Sequence, residues 1–327
     1  MCVGGPGQEL LPHARNSASV ATIAPAHPPL SFRARLRIHR DSVLSALILL
    51  PSVVAVGVFV YGFIGWTTYV AMSGWNSFVP DLSFVGLHNF VELFQSARFQ
   101  IDLRNTVIFT AAFLAGCLGL GLLLAVLLDQ RVRGEAVFRN IYLFPMSISF
   151  IVSGTAWSWL LNPSTGVNLL FEAVGLARLK SPWFTDPKIA IYSVVIAAVW
   201  QLSGFTMAMY LAGLRGISDE LREAARVDGA SDWQMYRYII LPLLNPVTLS
   251  AVIVLGHISL KIFDLVFAMT GSGPAFSTDV PGIFMFETTF RGNRFAEGAA
   301  IAIVMLLMVA VVVIPYLVWS TRAEATE

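Results

Sequence analysis

The chain predicts an all-α polytopic membrane protein with about six transmembrane helices, and three observations carry that expectation. Of 327 residues, 56% are apolar and only 13% charged, with a mean hydropathy of +0.72, far from the balance of a soluble domain. Apolar runs of about 20 residues, enough to cross a hydrocarbon core of ~30 Å, recur at about 43–66, 105–128, 138–161, 189–214, 242–267 and 298–319. Lys and Arg gather on alternate connections. The N-terminal tail, the 129–138 turn with Arg139, the 215–241 segment and the C-terminus hold 13 of the 21, and the other three loops hold seven. This asymmetry predicts a multi-pass protein of the cytoplasmic (inner) membrane with both termini in the cytoplasm.

Residues 1–40 read as a disordered cytoplasmic tail, because the first 30 are rich in Gly, Pro, Ala and Ser and carry no helical or strand period. A transmembrane domain follows over 41–322. Its first span comes after the basic stretch "RARLRIHRD" and is too long and too far from the start for a cleaved signal, so it reads as a retained helix. In the 67–104 loop, "FVGLHNFVELF" sets Phe90, Leu93 and Phe94 on one helical face, which fits a short interfacial helix or a surface loop packed on the bundle.

Cys2 and Cys117 have no partner spacing for a disulfide framework or a metal site. A net charge of +1 offers no general attraction to nucleic acid. An intramembrane enzyme would need a nucleophile with a base, or a metal motif. No HExxH occurs, and Ser153 in "VSGTA" has no evident His partner, so no catalytic or metal-binding residue is expected.

One hydrophilic segment interrupts the apolar pattern, within a loop at 215–245. In "SDELREAARVDGASDWQMYRYIILP", Ser218 followed by Asp219 and Glu220 predicts a helix N-terminus. Gly229 predicts its left-handed end, and Ser231 with Gln234 predicts a capping box that restarts a helix. The result is a helix, turn, helix between two spans. Ala224 and Ala225 permit close approach, while Arg222, Glu223, Arg226 and Asp228 offer charges to a partner; the alternative is a solvated amphipathic connector.

The order Glu223, Ala224, Ala225, Asp228, Gly229, Ile239, Leu241, Pro242 resembles the EAA loop of binding-protein-dependent ABC importers. The resemblance covers roughly residues 40–320. "NIYLFPMSISFIVSGTAWSWLLNPSTG", "VIAAVWQLSGFTMAMYLAGLRGI" and "FDLVFAMTGSGP" are similar to the first membrane subunit of carbohydrate importers, most closely the glucose/mannose type. The family usually has T-x-G-G-P where this chain has Thr270, Gly271, Ser272, Gly273, Pro274. The resemblance implies a permease that works with a second permease subunit, two ATPase subunits and an extracytoplasmic sugar-binding protein. It implies ATPase coupling through Arg222, Glu223, Ala224, Ala225, Asp228 and Gly229. No GxxxxGK[ST] motif is present, so ATP and Mg belong to the partner ATPase and this chain needs no cofactor of its own.

A sugar path needs polar groups in mid-span, tolerated only where they face protein or a cavity. The fourth span offers Trp200, Gln201 and Phe205, the last two one turn apart; the fifth offers His257 and Ser259. In the family's maltose importer the sugar contacts lie on the same two spans, nearest here to Gln201, Phe205 and Ser259. Each has a plainer alternative: Trp200 as packing, Ser259 bonded to its own helix, His257 satisfied in the core. Lys261 and Asp264, at i and i+3, are expected to neutralise each other as a bundle anchor, with a proton relay as the alternative. In the loop from Thr270 to about Glu297, Phe284, Phe286, Phe290 and Phe295 mix with Arg291 and Arg294. That composition fits a contact for the sugar-binding protein or an aromatic belt. Other cargo readings are glycerol-3-phosphate or another oligosaccharide, and on topology alone a channel or secondary carrier.

Overall fold

The computed structural model describes residues 46–130 and 133–324. The expected disordered tail, 1–40, lies outside them. Contacts divide the chain into Met1–Val60 and Tyr61–Glu327. Of the first unit, residues 46–60 are described: an apolar helical stretch, exposed throughout.

Among the described residues, four helices are long and apolar enough to cross a membrane: α1 (Ala46–Ala71), α3 (Ala97–Asp129), α7 (Ala190–Arg215) and α13, which runs Phe295–Glu324 with its apolar part at Phe295–Tyr316. Two bent pairs supply up to two more spans. Short helices α2 (His88–Gln95) and α6 (Val167–Ala173) lie in the loops. Apart from one isolated bridge between Ser73 and Phe84, the described residues are helix, turn and loop, as the all-α expectation requires.

The bundle is built around α7. Two thirds of its most apolar window is buried, against a third for α3 and less for α13, and α3 and the two bent runs pack against it. Small residues make that position possible. Ala197, Ala198, Ser203 and Gly204 are all buried on α7, and interfaces of small residues let membrane helices approach closely where hydrophobicity gives no drive to associate. One core joins Phe109, Phe113 and Cys117 of α3 to Val194 and Ala198 of α7 and Leu255 and Leu265 beyond. A second joins Leu124 and Leu128 to Met207, Leu211 and Leu214, and extends into the charged loop through Ala225, Met235 and Ile240.

The third apolar run is bent by 99° between Glu135–Ser147, which includes α4 (Glu135–Leu143), and α5 (Phe150–Leu160). Pro145 sits in the 3₁₀ turn before the bend, and Ile148 and Ser149 are extended. A break inside a span frees backbone carbonyls that must find donors within the protein. Gln201 of α7 supplies one: its Nε2 donates to the Ile148 carbonyl at 2.7 Å. One turn further along α7, Gly204 leaves room for the Tyr142 carbonyl, whose oxygen would lie 1.9 Å from a Cβ at that position.

The fifth run is interrupted twice. Asp232–Leu243 meets α10 (Asn245–Leu260) at 61°, where Pro246 cannot donate to the preceding turn. The helix then stops at Leu260 and resumes as α11 (Asp264–Met269), with Lys261 and Phe263 outside helical backbone angles. This corrects the expectation for Lys261 and Asp264. The i,i+3 relationship needs one continuous helix, and with the helix broken between them both side chains are exposed instead of paired.

In the 67–104 loop, α2 forms as expected and packs on the bundle. Leu93 and Phe90 join a core with Phe99 and Phe284, while Phe94 stays half exposed, edge-on to Phe99.

Candidate functional site

The loop between the fourth and fifth spans folds as α8 (Asp219–Val227) and α9 (Asp232–Met235). Ser218 has the extended backbone of an N-cap, but its hydroxyl makes no cap bond. The positive end of the helix is met by Asp219 and Glu220 in the first turn instead. At the other end the backbone closes as a Schellman motif. Gly229 has φ +80°, its N–H donates to the Arg226 carbonyl at 3.1 Å and the Ala230 N–H to the Ala225 carbonyl at 3.0 Å. The capping box follows as predicted. Ser231 Oγ accepts from the Gln234 N–H, and Gln234 Oε1 accepts from the Ser231 N–H at 2.8 Å.

The two faces of α8 do different work. Ala225 is buried in the second core, and Arg222 is turned inward too. Arg222 Nη1 donates to Asp129 at the end of α3 at 2.7 Å, and its Nη2 to the Leu214 carbonyl of α7 at 3.0 Å. Partial burial works against its charge, but the Asp129 carboxylate outweighs that and raises its pKa. Arg222 and Ala225 therefore tie the loop to the bundle. Glu223, Ala224, Arg226, Val227 and Asp228 face outward. Val227 is 87% exposed and Trp233 74%, so this outer face is charged at its edges and apolar between. A cavity of about 560 Å³ opens beside it, lined by Asp129, Arg222, Glu223, Arg226, Asp232 and Tyr236.

The mid-bundle positions divide. Trp200 is exposed and meets Trp157 edge-on at 5.7 Å, while Phe205 and His257 are half-buried. Gln201 is 1% exposed and committed to Ile148, and Phe205 packs on the first core. Although one turn apart, Gln201 and Phe205 therefore do not present an amide and an aromatic ring on one open face in this conformation. Ser259 is fully buried; its hydroxyl donates to the Gly256 carbonyl at 2.8 Å and accepts from Thr110 Oγ1 at 3.0 Å.

At the opposite end of the bundle, the four loop phenylalanines scatter. On α12 (Pro281–Phe286), Phe284 enters a core and Phe286 packs between Phe263, Phe267 and Phe290; beyond it Phe290 is exposed, and Phe295 lies on Trp75. Arg291 and Arg294 are exposed but locally paired, with Glu287 at 3.4 Å and Glu297 at 2.7 Å.

The same loop carries a cluster that sequence reading missed. Arg98, on the first turn of α3, bonds Asp279 through Nε and Glu287 through Nη2, both at 2.6 Å. Burial pushes the Asp279 carboxyl up, against the lowering effect of Arg98. Arg98 and Asp102, one turn apart at the head of an apolar run, were the available signal.

Residues 117–324 match the family described as binding-protein-dependent transport system inner membrane component. A probable ABC transporter permease of Pyrococcus horikoshii is 48% identical over 85% of this chain and 96% of its own length. The xylose/arabinose import permease of Haloferax volcanii is 36% identical over 82% of this chain and 85% of its own. Among solved structures, a bacterial ABC transporter involved in import of the acidic polysaccharide alginate matches with TM-score 0.75 and 25% identity, covering 89% of this chain and 99% of that one. With its helical bundle, its bent spans and its charged loop, the chain belongs to the binding-protein-dependent inner membrane component family, the permease subunits of ABC transporters.

Proposed function

We propose that this permease forms half of the translocation path of an ATP-driven sugar importer in the cytoplasmic membrane, with 215–245 as its EAA coupling loop on the cytoplasmic side. The carrying observation is the two-faced α8. Arg222 and Ala225 fix it to the ends of α3 and α7, while Glu223, Ala224, Val227 and Asp228 stand free. A helix closed at its C-terminal end by the Schellman turn and anchored to two spans passes a displacement into the bundle, where a floppy loop would absorb it.

The partners are two ATPase subunits, which carry ATP and Mg, a second permease and an extracytoplasmic sugar-binding protein. Trp200, Phe205 and His257 retain accessible surface and line the path, with Gln201 and Ser259 behind them. Arg291 and Arg294 meet the binding protein. A neutral sugar of the glucose/mannose type is the cargo that the sequence motifs favour. The likeness to an alginate importer keeps an oligosaccharide as the second reading.

The test is Glu223→Lys in the assembled transporter with its genomic-neighbour ATPase, permease and binding protein. The variant reverses an exposed charge and should insert normally, yet lose sugar-stimulated ATP hydrolysis and uptake. Full coupling at equal expression would remove the docking assignment, and binding-protein calorimetry against glucose, mannose and oligosaccharides decides the cargo.

A further inference from the structure

We propose that Asp102 and Asp279 hold a single proton between them, and that this proton locks the 270–291 loop onto the head of α3. The proposal draws on the functional reading above only for the side of the membrane, which would be the outer one.

Three residues on one face of α3, at 98, 102 and 105, reach this loop. Arg98 bonds Asp279 and Glu287, with Ser272 Oγ at 3.4 Å, and its guanidinium lies 4.6 Å from the centres of both the Phe276 and Phe284 rings. Asn105 Nδ2 donates to the carbonyls of Phe276 at 2.8 Å and Asp279 at 3.0 Å. Between them sits Asp102, fully buried like Asp279. Neither Asp102 oxygen receives a hydrogen bond from a donor, and the residues a turn to either side of it on the same face, Arg98 and Asn105, both bond Asp279, one at its carboxylate and the other at its backbone carbonyl.

Two ionised carboxylates brought together on one buried face repel strongly, and a pair so placed normally shares a proton. The cation nearby does not remove the need. Arg98 faces Asp279 and Glu287 already, and Asp279 Oδ1 also takes the Val280 N–H at 3.2 Å. The other charges packed around the site are committed: Arg291 to Glu287, Arg294 to Glu297 on α13, and His88 to Glu92 on α2. Asp279, bonded to Arg98, is the ionised member, and the Asp102 hydroxyl donates to it. Without that proton Asp102 has no donor at all.

The sign follows from linkage. The locked state binds one proton more than the released state, in which hydrated carboxyls are ionised at neutral pH. Rising pH therefore draws the proton off to water and favours release, while lowering pH favours the lock. A single proton changes the released fraction by up to about tenfold per pH unit.

Ser277 reports the state, since it is buried beneath the lock and its hydroxyl has no partner, so Ser277→Cys is nearly isosteric. The experiment uses the full chain in detergent with Cys2→Ser and Cys117→Ala. Labelling by a charged maleimide is followed from neutral to alkaline pH and normalised to the same measurement on Ser77→Cys. Expected in the Asp102 chain is a rise of about tenfold per pH unit starting at neutral pH and levelling off once the locked pair itself has lost the proton. In the Asp102→Asn chain, whose amide donates to Asp279 at every pH, the curve should be flat. Superimposable curves for the two chains overturn the proposal. If Asp102→Asn does not fold, the infrared carbonyl band of a protonated acid decides: its loss in parallel with labelling supports the lock, and its absence at neutral pH sinks it. Detergent removes sidedness from this result. The same cysteine in sealed vesicles tests the orientation separately.

Discussion

Arg222 and Asp129 meet at 2.7 Å, joining α8 to the end of α3, and both side chains are largely shielded from solvent. Removing one member of a shielded pair leaves the other without its counter-charge, at a cost of about 3 kcal/mol. Arg222→Ala should therefore lower the thermal midpoint of the purified permease and loosen α8, seen as faster proteolysis at 219–227. Exchanging the two residues, Arg222→Asp with Asp129→Arg, should recover part of the loss. A variant as stable and as protease-resistant as wild type would make the pair an incidental surface contact.

Gly204 and Gly256 are opposite cases of one substitution. A methyl at Gly204 would overlap the Tyr142 carbonyl, whereas a methyl at Gly256 meets nothing within 4 Å. Gly204→Ala should destabilise by about 1–3 kcal/mol through overpacking. Gly256→Ala should be neutral or stabilise by about 0.5–1 kcal/mol through helix propensity. Thermal unfolding of both in one detergent compares them, and equal midpoints would mean the α7 contact with Tyr142 is not maintained.

Phe205 and Gln201 should fail for different reasons. Phe205→Ala removes a side chain from the proposed path and part of the packing on the first core, so it should lower uptake by more than its loss of thermal midpoint explains. Gln201→Ala leaves the Ile148 carbonyl without its donor, about 1–3 kcal/mol, and should reduce stability and uptake together. Cysteines at 200, 205 and 257 should react with a small polar reagent in at least one nucleotide state. Position 259, buried against Thr110, should not in the state described here. No labelling at any of the first three would leave them as packing.

Charge reversal at Arg291 and Arg294 should raise the binding-protein concentration needed for half-maximal ATPase stimulation. The shift should shrink as salt is added, because exposed pairs are screened. Both arginines have local acidic partners, so the reversal also repels Glu287 and Glu297, and a thermal melt at each salt concentration separates the two effects. Stimulation curves that superimpose on wild type at every salt concentration would assign these arginines to their own loop alone.

Much of the architecture was legible in the sequence because a hydrocarbon core imposes a length. The fourth run, 189–214, matches α7 to within a residue, and Gly229, Ser231 and Gln234 announced their turn and cap through backbone chemistry that is local. The misreadings share a cause. Hydropathy does not see the bend at Ile148 or the gap between Leu260 and Asp264, because both are held by contacts from other spans. Spacing placed Arg222 on a helix face but could not show that it bonds Asp129 and the Leu214 carbonyl. The head of α3 was missed because Arg98 and Asp102 lie beyond the apolar run proper: 33 helical residues extend about 50 Å, well past a ~30 Å core. Their partners at 279 and 287 are distant in sequence.

That long helix also limits how the protein can be recombined. The segment matching the family begins at Cys117, so a chimera spliced there would take Asp279 and Glu287 from one parent and position 98 from the other. A donor without a cation at that site would leave two carboxylates facing each other with no counter-ion. The workable junction lies upstream of Arg98, where whole domains can be exchanged with their electrostatic closure intact.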